Sequence, residues 1–423
     1  MPNNIIALAV FILAYISFVF FPNKRAIFAL LGGALLIILR VVSPREAFLS
    51  VNWNVMGIFV GMLVVADVFM LSRVPAYLAE IIVNRAKNTS WAILFICVLT
   101  SLISAFVENV ATVLIIAPVA ISLAKKLKLN PLNMMIAIAI SSNLQGAATL
   151  IGDPPSMLLG GFAKMNFSDF FFYKGRPSIF FAVQLGALIS FVVLYFIFRK
   201  NKETIKLVQV EKVRSWVPSV FLVVLILALA VSSFLDSGVA YTAGTLCVIF
   251  GVISLIWQRI MYNDPICKGI KGLDWETTFF LIGIFIIVGA IAITGWIGLF
   301  ADFLSGLIGN SIFLGYTTIV VMSVFISAFV DNVPFLAAML PVTISMSAKL
   351  NIDPTLFLFG LLIGASLGGN ITPIGASANI VACGLLKKEG YKVGFKDFMK
   401  LGVPFTLAAV ATAYLFVWFI WSR

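Results

Sequence analysis

The sequence contains no histidine, and this absence excludes several kinds of site. Without an imidazole, neither a histidine-based metal site nor a histidine-containing catalytic triad is possible, so any proton transfer must use carboxylates. Charge is also scarce, because only 11% of the 423 residues are charged whereas 62% are hydrophobic. This balance excludes a soluble globular protein and is typical of a polytopic membrane protein.

Nucleotide-binding and cofactor-binding signatures are missing as well. No GxxxxGK[ST] motif is present and no soluble stretch is long enough for a nucleotide-binding domain, so any energy-dependent activity would have to use a proton or sodium gradient, or a separate ATPase subunit. No organic cofactor is expected. The four cysteines lack metal-ligand spacing and are interpreted as isolated small apolar residues. They are Cys97, Cys247, Cys267 and Cys383.

The net charge of +12 does not indicate nucleic-acid binding. The lysines and arginines lie in short loops between apolar runs, as membrane topology requires. Positions 1–21 lack a basic region and a small-residue cleavage site, so they predict a first membrane span rather than a removed signal peptide. We therefore expect a multi-pass protein of a bacterial or archaeal cytoplasmic membrane.

Long apolar runs, each of roughly 20 residues, predict membrane-spanning helices. Two crossings, 132–165 and 355–388, are interrupted by glycine, proline and polar residues. Two other stretches, 91–127 and 313–350, are each two apolar arms with a polar tip, which predicts a re-entrant helical hairpin. Eight uninterrupted spans are expected at about 4–21, 26–40, 54–72, 178–198, 216–234, 238–257, 276–294 and 401–421.

The chain contains an internal repeat. The sequence SAFVENV at 104–110 returns as SAFVDNV at 327–333, at an offset of 331 − 108 = 223. The match continues without a gap through the interrupted crossings, where Gly146 aligns with Gly369 and Thr149 with Thr372. An ungapped match from residue 104 to residue 152 indicates two copies of one unit, each with a hairpin and a broken helix.

Loop charge predicts how the two copies are oriented. Lysine and arginine near both ends of the first hairpin, in the linker 199–215 and in 387–400 indicate a cytoplasmic position for these segments. Counting from them gives five crossings per repeat; because five is odd, the second repeat is inverted, as in many secondary transporters. The predicted fold is therefore an all-α membrane protein of two inverted repeats. Its predicted parts are a first repeat 1–198 (scaffold 1–90 and 178–198, transport elements 91–165), a linker 199–215, and a second repeat 216–423 (scaffold 216–308 and 401–421, transport elements 313–388).

The interrupted crossings predict a binding site. Two glycines and a proline pair cannot continue a helix, and the unwound backbone exposes amides and carbonyls beside polar side chains. Such groups suit an ion or a small polar solute. One alternative is that the glycines and prolines only kink the helix. Another is that the asparagine amides form hydrogen bonds that close each hairpin against the kink. The candidate substrate or ion ligands are Asn109, Asn143, Gly146, Thr149, Gly152, Asn332, Asn370, Thr372, Gly375, Ser377 and Asn379.

Three carboxylates are candidates for proton coupling: Glu108, Asp153 and Asp331. An acid inside the membrane is a functional candidate by default, and the alternative is that these acids cap or brace the hairpin tips. Asp67, in a scaffold span, is a weaker candidate because a lone acid there can simply bond to the neighbouring backbone. The motif regions carry no lysine or arginine, so a free dicarboxylate would meet acids without a fixed cation, whereas a cation, a proton or a neutral hydroxide would not be repelled.

At these motifs the sequence resembles the ion transporter superfamily of the ArsB arsenite permeases, the NhaD sodium/proton antiporters, the melanosomal P protein and the divalent anion/sodium symporters. The resemblance implies a fixed scaffold and a transport domain that moves as an elevator. It rests on Glu108-Asn109-Val110, Asp331-Asn332-Val333, and the words at 148–155 and 372–379. The anion symporters carry Ser-Asn-Thr at the hairpin tips, so the tips here are more similar to the ArsB and P-protein branch.

We therefore expect a proton-coupled antiporter that exports arsenite or antimonite as the neutral hydroxide. The first alternative is a sodium/proton antiporter in which the same acids bind Na⁺, and the second is a sodium-coupled carboxylate importer. A structural or receptor membrane protein is the alternative from another class. An enzyme is disfavoured, because no nucleophile–base pair or metal cluster is apparent in the sequence.

Overall fold

The computed structural model describes residues 2–127, 129–203, 212–235, 242–263, 265–309 and 311–422. Residues 204–211 of the predicted linker 199–215 therefore lie outside the described residues, as does the start of the span predicted at 238–257. The side chain of Cys267 is not described either.

The described chain is almost entirely helical, and its twenty α-helices divide into two sets of ten. The first set is α1 (Asn3–Phe20), α2 (Arg25–Ile38), α3 (Pro44–Ser50), α4 (Trp53–Leu71), α5 (Val74–Arg85), α6 (Thr89–Ser104), α7 (Asn109–Leu127), α8 (Leu132–Gly146), α9 (Pro154–Ala163) and α10 (Ile179–Phe198). The second set is α11 (Val217–Phe234), α12 (Thr242–Tyr262), α13 (Ile266–Gly272), α14 (Trp275–Ile293), α15 (Trp296–Ile308), α16 (Ile312–Ser327), α17 (Asn332–Lys349), α18 (Thr355–Gly368), α19 (Ser377–Lys388) and α20 (Phe395–Trp421).

The internal repeat of the sequence is also a repeat of secondary structure. Helices α6 to α9 begin at positions 89, 109, 132 and 154, and α16 to α19 begin at positions 312, 332, 355 and 377. The offset is the same for all four pairs, 312 − 89 = 223, and equals that of the motifs. Helices α3 and α4 reappear as α13 and α14 with the same lengths, at an offset of 275 − 53 = 222. The repeat therefore extends beyond the motifs to the helices around them.

The two halves pack against each other reciprocally. Helix α4 of the first half lies along α12 of the second, and the equivalent α14 lies along α2 of the first. The pair α6 and α8 has its counterpart in α16 and α18, while α10 and α20 pack on each other. Such reciprocal contacts are those of a two-fold arrangement inside one chain. Inversion of the second half relative to the membrane stays a prediction.

Eight described helices are long and apolar enough to cross a bilayer. Seven of them match predicted uninterrupted spans, but the span predicted at 26–40 forms only the 14-residue α2. At 1.5 Å per residue α2 is about 21 Å long, short of the ~30 Å hydrocarbon core. The eighth is α7, a predicted hairpin arm that with 19 residues has the length of a full crossing.

The prediction of a purely α-helical chain is wrong at one point. Residues Phe172–Tyr173 (β1) and Arg176–Pro177 (β2) form a short antiparallel hairpin after α9. Its turn is made by Lys174 and Gly175, both with a positive φ, which the two-residue connection requires. The Trp421 indole donates to the Pro177 carbonyl at 3.2 Å, so the hairpin holds the end of α20.

Candidate functional site

Hairpin tips and helix ends from both halves meet at one cavity, which we call the central cavity. It has a volume of about 30 Å³. A cavity of that size has room for about two waters or one small ion. The residues that line it are Arg25, Phe59, Glu108, Asn109, Val110, Asn143, Asp153, Pro154, Pro155, Asp274, Thr277, Asn332, Val333, Ser377 and Ala378.

Four helices begin at or beside this cavity, and each has a carboxylate side chain at its N-terminus. In each case a side-chain oxygen accepts from a backbone N–H in the first turn, which satisfies one of the free donors at the helix end. A carboxylate there is also favoured by the positive end of the helix dipole. The pairs are Glu108 with Ala111 at 3.0 Å, Asp153 with Ser156 at 2.9 Å, Asp274 with Thr277 at 2.9 Å, and Asp331 with Val333 at 3.0 Å.

The N-terminus of α19 differs from these four. Ala376 stands there at the position equivalent to Asp153, since 153 + 223 = 376, and no side chain caps the helix. Ser377 and Ala378 in its first turn line the cavity. The second half therefore presents an open helix end where the first half supplies its own acid.

A chain of amides and hydroxyls joins the first hairpin to the second broken helix. Ser104 donates to Asn109 Oδ1 at 2.8 Å, and Asn109 Nδ2 donates to Asn143 Oδ1 at 3.3 Å. Asn143 Nδ2 then donates to the Ser366 carbonyl at 2.8 Å and to Asn370 Oδ1 at 3.0 Å. All of these side chains are buried, so the network fixes the two breaks relative to each other.

Both breaks are braced in the same way. The Thr149 hydroxyl donates to the Ala105 carbonyl, and the equivalent Thr372 hydroxyl donates to Ala328. Each pair is 44 residues apart. Gly152 lies so close to the Gly146 carbonyl that a Cβ would overlap it, and Gly375 lies equally close to Gly369. These glycines allow the unwound backbone to double back beside its hairpin.

Asn379 and Ser156 are the equivalent braces on the following helices. Asn379 Nδ2 donates to the Gly369 carbonyl at 2.9 Å, and the Ser156 hydroxyl donates to Gly146 at 3.2 Å. Asn379 Nδ2 also donates to the Thr372 carbonyl at 3.0 Å, while its Oδ1 has no hydrogen-bond partner among the described residues. Asn379 therefore supports the break from behind.

Arg25 lines the cavity but was not among the site residues predicted from sequence. It forms a salt bridge with Asp331, and its Nη2 donates to the Thr277 hydroxyl at 3.1 Å. Thr277 in turn donates to Asp274 Oδ2 at 2.6 Å, and the guanidinium lies 5.1 Å from the centre of the Phe280 ring. Nothing in the sequence indicates that Arg25 meets a motif 306 residues away.

The cavity and its ion pair carry an excess of negative charge. Arg25 is accompanied by Glu108, Asp153, Asp274 and Asp331, so the balance is 1 − 4 = −3 if all of them are ionised. Asp153 is completely buried, and its Oδ2 has no hydrogen-bond partner in the described part of the chain. An unpaired buried carboxylate oxygen costs several kcal/mol unless it takes up a proton or a cation.

The predicted site residues divide into two groups. Glu108, Asn109, Asn143, Asp153, Asn332 and Ser377 line the central cavity, and Asp331 reaches it through Arg25. Asp67 does not line it. The other predicted ligands lie behind the cavity in the two breaks and are Gly146, Thr149, Gly152, Asn370, Thr372, Gly375 and Asn379.

Sequence comparison places this chain among transporters. It is 28% identical over 424 residues to an uncharacterized transporter of Mycobacterium tuberculosis and 28% identical over 426 residues to a 46 kDa membrane protein of Mycobacterium leprae, with 98% of both chains covered in each case. It is also 26% identical over 503 residues to the P protein of Mus musculus, covering 97% of this chain and 60% of the P protein.

Solved structures share the fold at lower sequence identity. The YdaH transporter of Alcanivorax borkumensis, described as having an unusual topology, matches with a TM-score of 0.62 at 14% identity, over 88% of this chain and 86% of its own. MtrF of Neisseria gonorrhoeae, placed in a class of antimetabolite efflux pumps, matches with a TM-score of 0.57 at 14% identity, over 91% of this chain and 83% of its own.

The family model for citrate transporters matches residues 15–313 and 237–423, which together span nearly the whole chain. Names of relatives and family alike point to a membrane transporter rather than an enzyme. This protein is a secondary transporter that belongs to the citrate transporter family CitMHS.

Proposed function

We propose that this protein is a proton-coupled antiporter that exports arsenite or antimonite as the neutral hydroxide. The observation that carries the proposal is the surplus of carboxylates over the one arginine at the central cavity. A neutral solute enters such a cavity without Coulomb repulsion, and the acids remain free to exchange protons.

Glu108 and Asp153 are the acids proposed to carry the proton. Asp153 supplies a buried oxygen without a partner among the described residues, and Glu108 lies at the tip of the first hairpin, where its side chain accepts from the Ala111 N–H. Asp331 is paired with Arg25, so it is less available for a proton than the other two acids. Its proposed part in coupling is to release Arg25 when the hairpin moves.

The proposed movement is that of an elevator built from two inverted repeats. The second hairpin tip is docked on the scaffold, since Tyr15 donates to the Pro334 carbonyl at 2.6 Å and Arg25 pairs with Asp331. We propose that this docked arrangement is one end state of a carrier with two related halves.

A sodium/proton antiporter is the second candidate, favoured by the excess of four carboxyl groups over one guanidinium and by a cavity that holds only about two water-sized groups. Na⁺ would be bound by Glu108 and Asp153. In the described residues, no group of three or more Cys, Asp and Glu side chains is arranged to hold a metal ion, so the Na⁺ site would also need backbone or amide oxygens.

A citrate carrier is the third candidate, and its support is the family name together with the cation Arg25 at the cavity. Because four acids accompany Arg25, citrate would have to enter with a bound cation.

Everted membrane vesicles with a pH-sensitive dye separate the three candidates. Arsenite-dependent proton movement without Na⁺ is the expected result. Na⁺-dependent movement without arsenite would favour the second candidate, and movement that needs citrate plus a divalent cation would favour the third. Vesicles in which none of these solutes moves protons would contradict a proton-coupled carrier for all of them.

A further inference from the structure

Equivalent residues of the two halves reach the central cavity in different bonding states. In the first half Asn109 is engaged on both sides of its amide, by the Ser104 hydroxyl and by Asn143. Asp153 caps α9 from within the chain. The first half therefore pairs its own amide and hydroxyl groups, and its carboxylate oxygen Asp153 Oδ2 is without a partner among the described residues.

The second half instead has hydrogen-bond donors that are without partners among the described residues. Asn332, the equivalent of Asn109, is 6% exposed, lines the cavity and makes no side-chain hydrogen bond among the described residues. The Ser377 hydroxyl, also on the cavity wall, has no partner among the described residues either. The N-terminus of α19 beside it has no side-chain cap. An asparagine on a cavity wall, in a residue that is otherwise buried, has its amide available to a group that the cavity receives.

These three features all suit an oxygen atom. Backbone N–H groups at a helix N-terminus, an amide NH₂ and a hydroxyl can each donate, and the helix dipole favours partial negative charge. The first half shows what fits such a place, because the carboxylate of Asp153 occupies it there. The equivalent place at Ala376 has no oxygen of its own.

We propose that the two halves have divided the work: the second half binds the oxygen atoms of a small oxyacid through Asn332, Ser377 and the start of α19, and the first half exchanges the proton at Glu108 and Asp153. The inference rests on the proposed function for the location of the site, and it adds which half holds the substrate. Arsenous acid, with three hydroxyl oxygens, is the probe of this class.

The test uses the purified full-length protein and two matched variants at equivalent positions, Asn109→Ala and Asn332→Ala. Binding of arsenous acid is measured by isothermal calorimetry, and proton movement is measured in proteoliposomes. Losing one hydrogen bond to the substrate raises the Kd about tenfold. We expect that increase for Asn332→Ala and Ser377→Ala. For Asn109→Ala we expect the increase in Kd to be smaller than for Asn332→Ala by a factor of at least about five. We also expect the pH dependence of transport to change.

Two further variants complete the design. Ala376→Asp supplies α19 with the acid that α9 already has, so it is expected to occupy the oxygen site and abolish arsenous acid binding. Because Ala376 is buried, the melting temperature without ligand shows whether this variant folds, and Asn332→Ala and Ser377→Ala carry the test if it does not. Ser90→Ala, in the first turn of α6 and away from the cavity, is the control and should leave the Kd unchanged.

The outcomes separate this inference from the proposed function. Equal loss of binding in Asn109→Ala and Asn332→Ala, or a larger loss in the former, would overturn the division between the halves even if arsenite drives proton exchange. A wild-type protein that binds no arsenous acid while Na⁺ still moves protons would overturn the oxyacid site and the arsenite proposal but leave a proton-coupled carrier.

Discussion

The salt bridge between Arg25 and Asp331 is predicted to hold the second hairpin on the scaffold. Their side chains are only 15% and 20% exposed. Exposed ion pairs contribute ~0–1 kcal/mol, whereas removing one partner of a fully buried pair costs ~3–5 kcal/mol. For this intermediate burial we expect a coupling free energy of about 2 kcal/mol, which corresponds to a roughly 30-fold change in an equilibrium constant.

A double-mutant cycle with Arg25→Gln and Asp331→Asn measures that coupling. The free energy of unfolding of the purified protein in detergent is determined for the wild type, each single variant and the double variant. Each single variant should be destabilised because it leaves an unpaired charge. The double variant should recover part of the loss, since neither charge is left without a partner.

A second salt bridge provides the matched control. Lys174 and Asp353 also join the two halves, at 2.5 Å, but their side chains are 48% and 53% exposed. The same cycle on this pair should give a coupling below about 1 kcal/mol. Additive effects at Arg25 and Asp331, or a coupling free energy no larger than that of the control pair, would refute the prediction that this salt bridge holds the second hairpin on the scaffold.

Three further predictions concern the breaks. Asp153→Asn should abolish proton exchange at unchanged expression, measured as dye response in everted vesicles; normal exchange would remove Asp153 from the mechanism. Thr149→Val and Thr372→Val should lower the free energy of unfolding by similar amounts, about 1–2 kcal/mol, because each leaves an equivalent buried carbonyl without its donor; a difference above that range would show that the two breaks are not braced alike. Gly152→Ala should cost about 3 kcal/mol because its Cβ would overlap backbone, whereas Gly306→Ala, with open space around it, should be neutral or stabilising; equal melting temperatures for the two variants would contradict the close approach at the first break.

The repeat and the long helices were predictable from sequence because both are local signals. The words around Glu108 and Asp331 differ by one conservative substitution, so the hairpins and breaks could be aligned without a structure. Apolar length placed seven of the eight spans. The offset of 223 that relates the motifs also relates the starts of four helix pairs, which the sequence did not show directly.

The partners of the motif residues were not predictable, because they depend on how distant helices meet. Arg25 is 306 residues from Asp331 in the chain and stands at the start of α2, outside the repeated motifs. Asp274 could be seen as a helix cap but not as a wall of the cavity. The open end of α19 became meaningful only when the structure showed that Asn332 beside it lacks a partner among the described residues.

Three predictions about secondary structure were also limited by what composition can show. The β-hairpin at 172–177 is only two residues per strand, too short for an alternating pattern. Helix α2 ends at Ile38 and is therefore too short to cross the bilayer. The chain continues through Arg40, which has a positive φ. Helix α7 is longer than a half-depth arm requires, so its depth in the membrane depends on tilt rather than length.

We propose that the acids at the junction of the two halves exchange protons against a neutral oxyacid. The most direct test is the pH change inside proteoliposomes of the purified protein when an arsenite gradient is imposed in Na⁺-free buffer. We expect protons to move opposite to arsenite, and this movement to be lost in Asp153→Asn. Arsenite flux with no proton movement, or the same proton movement in Asp153→Asn, would contradict it.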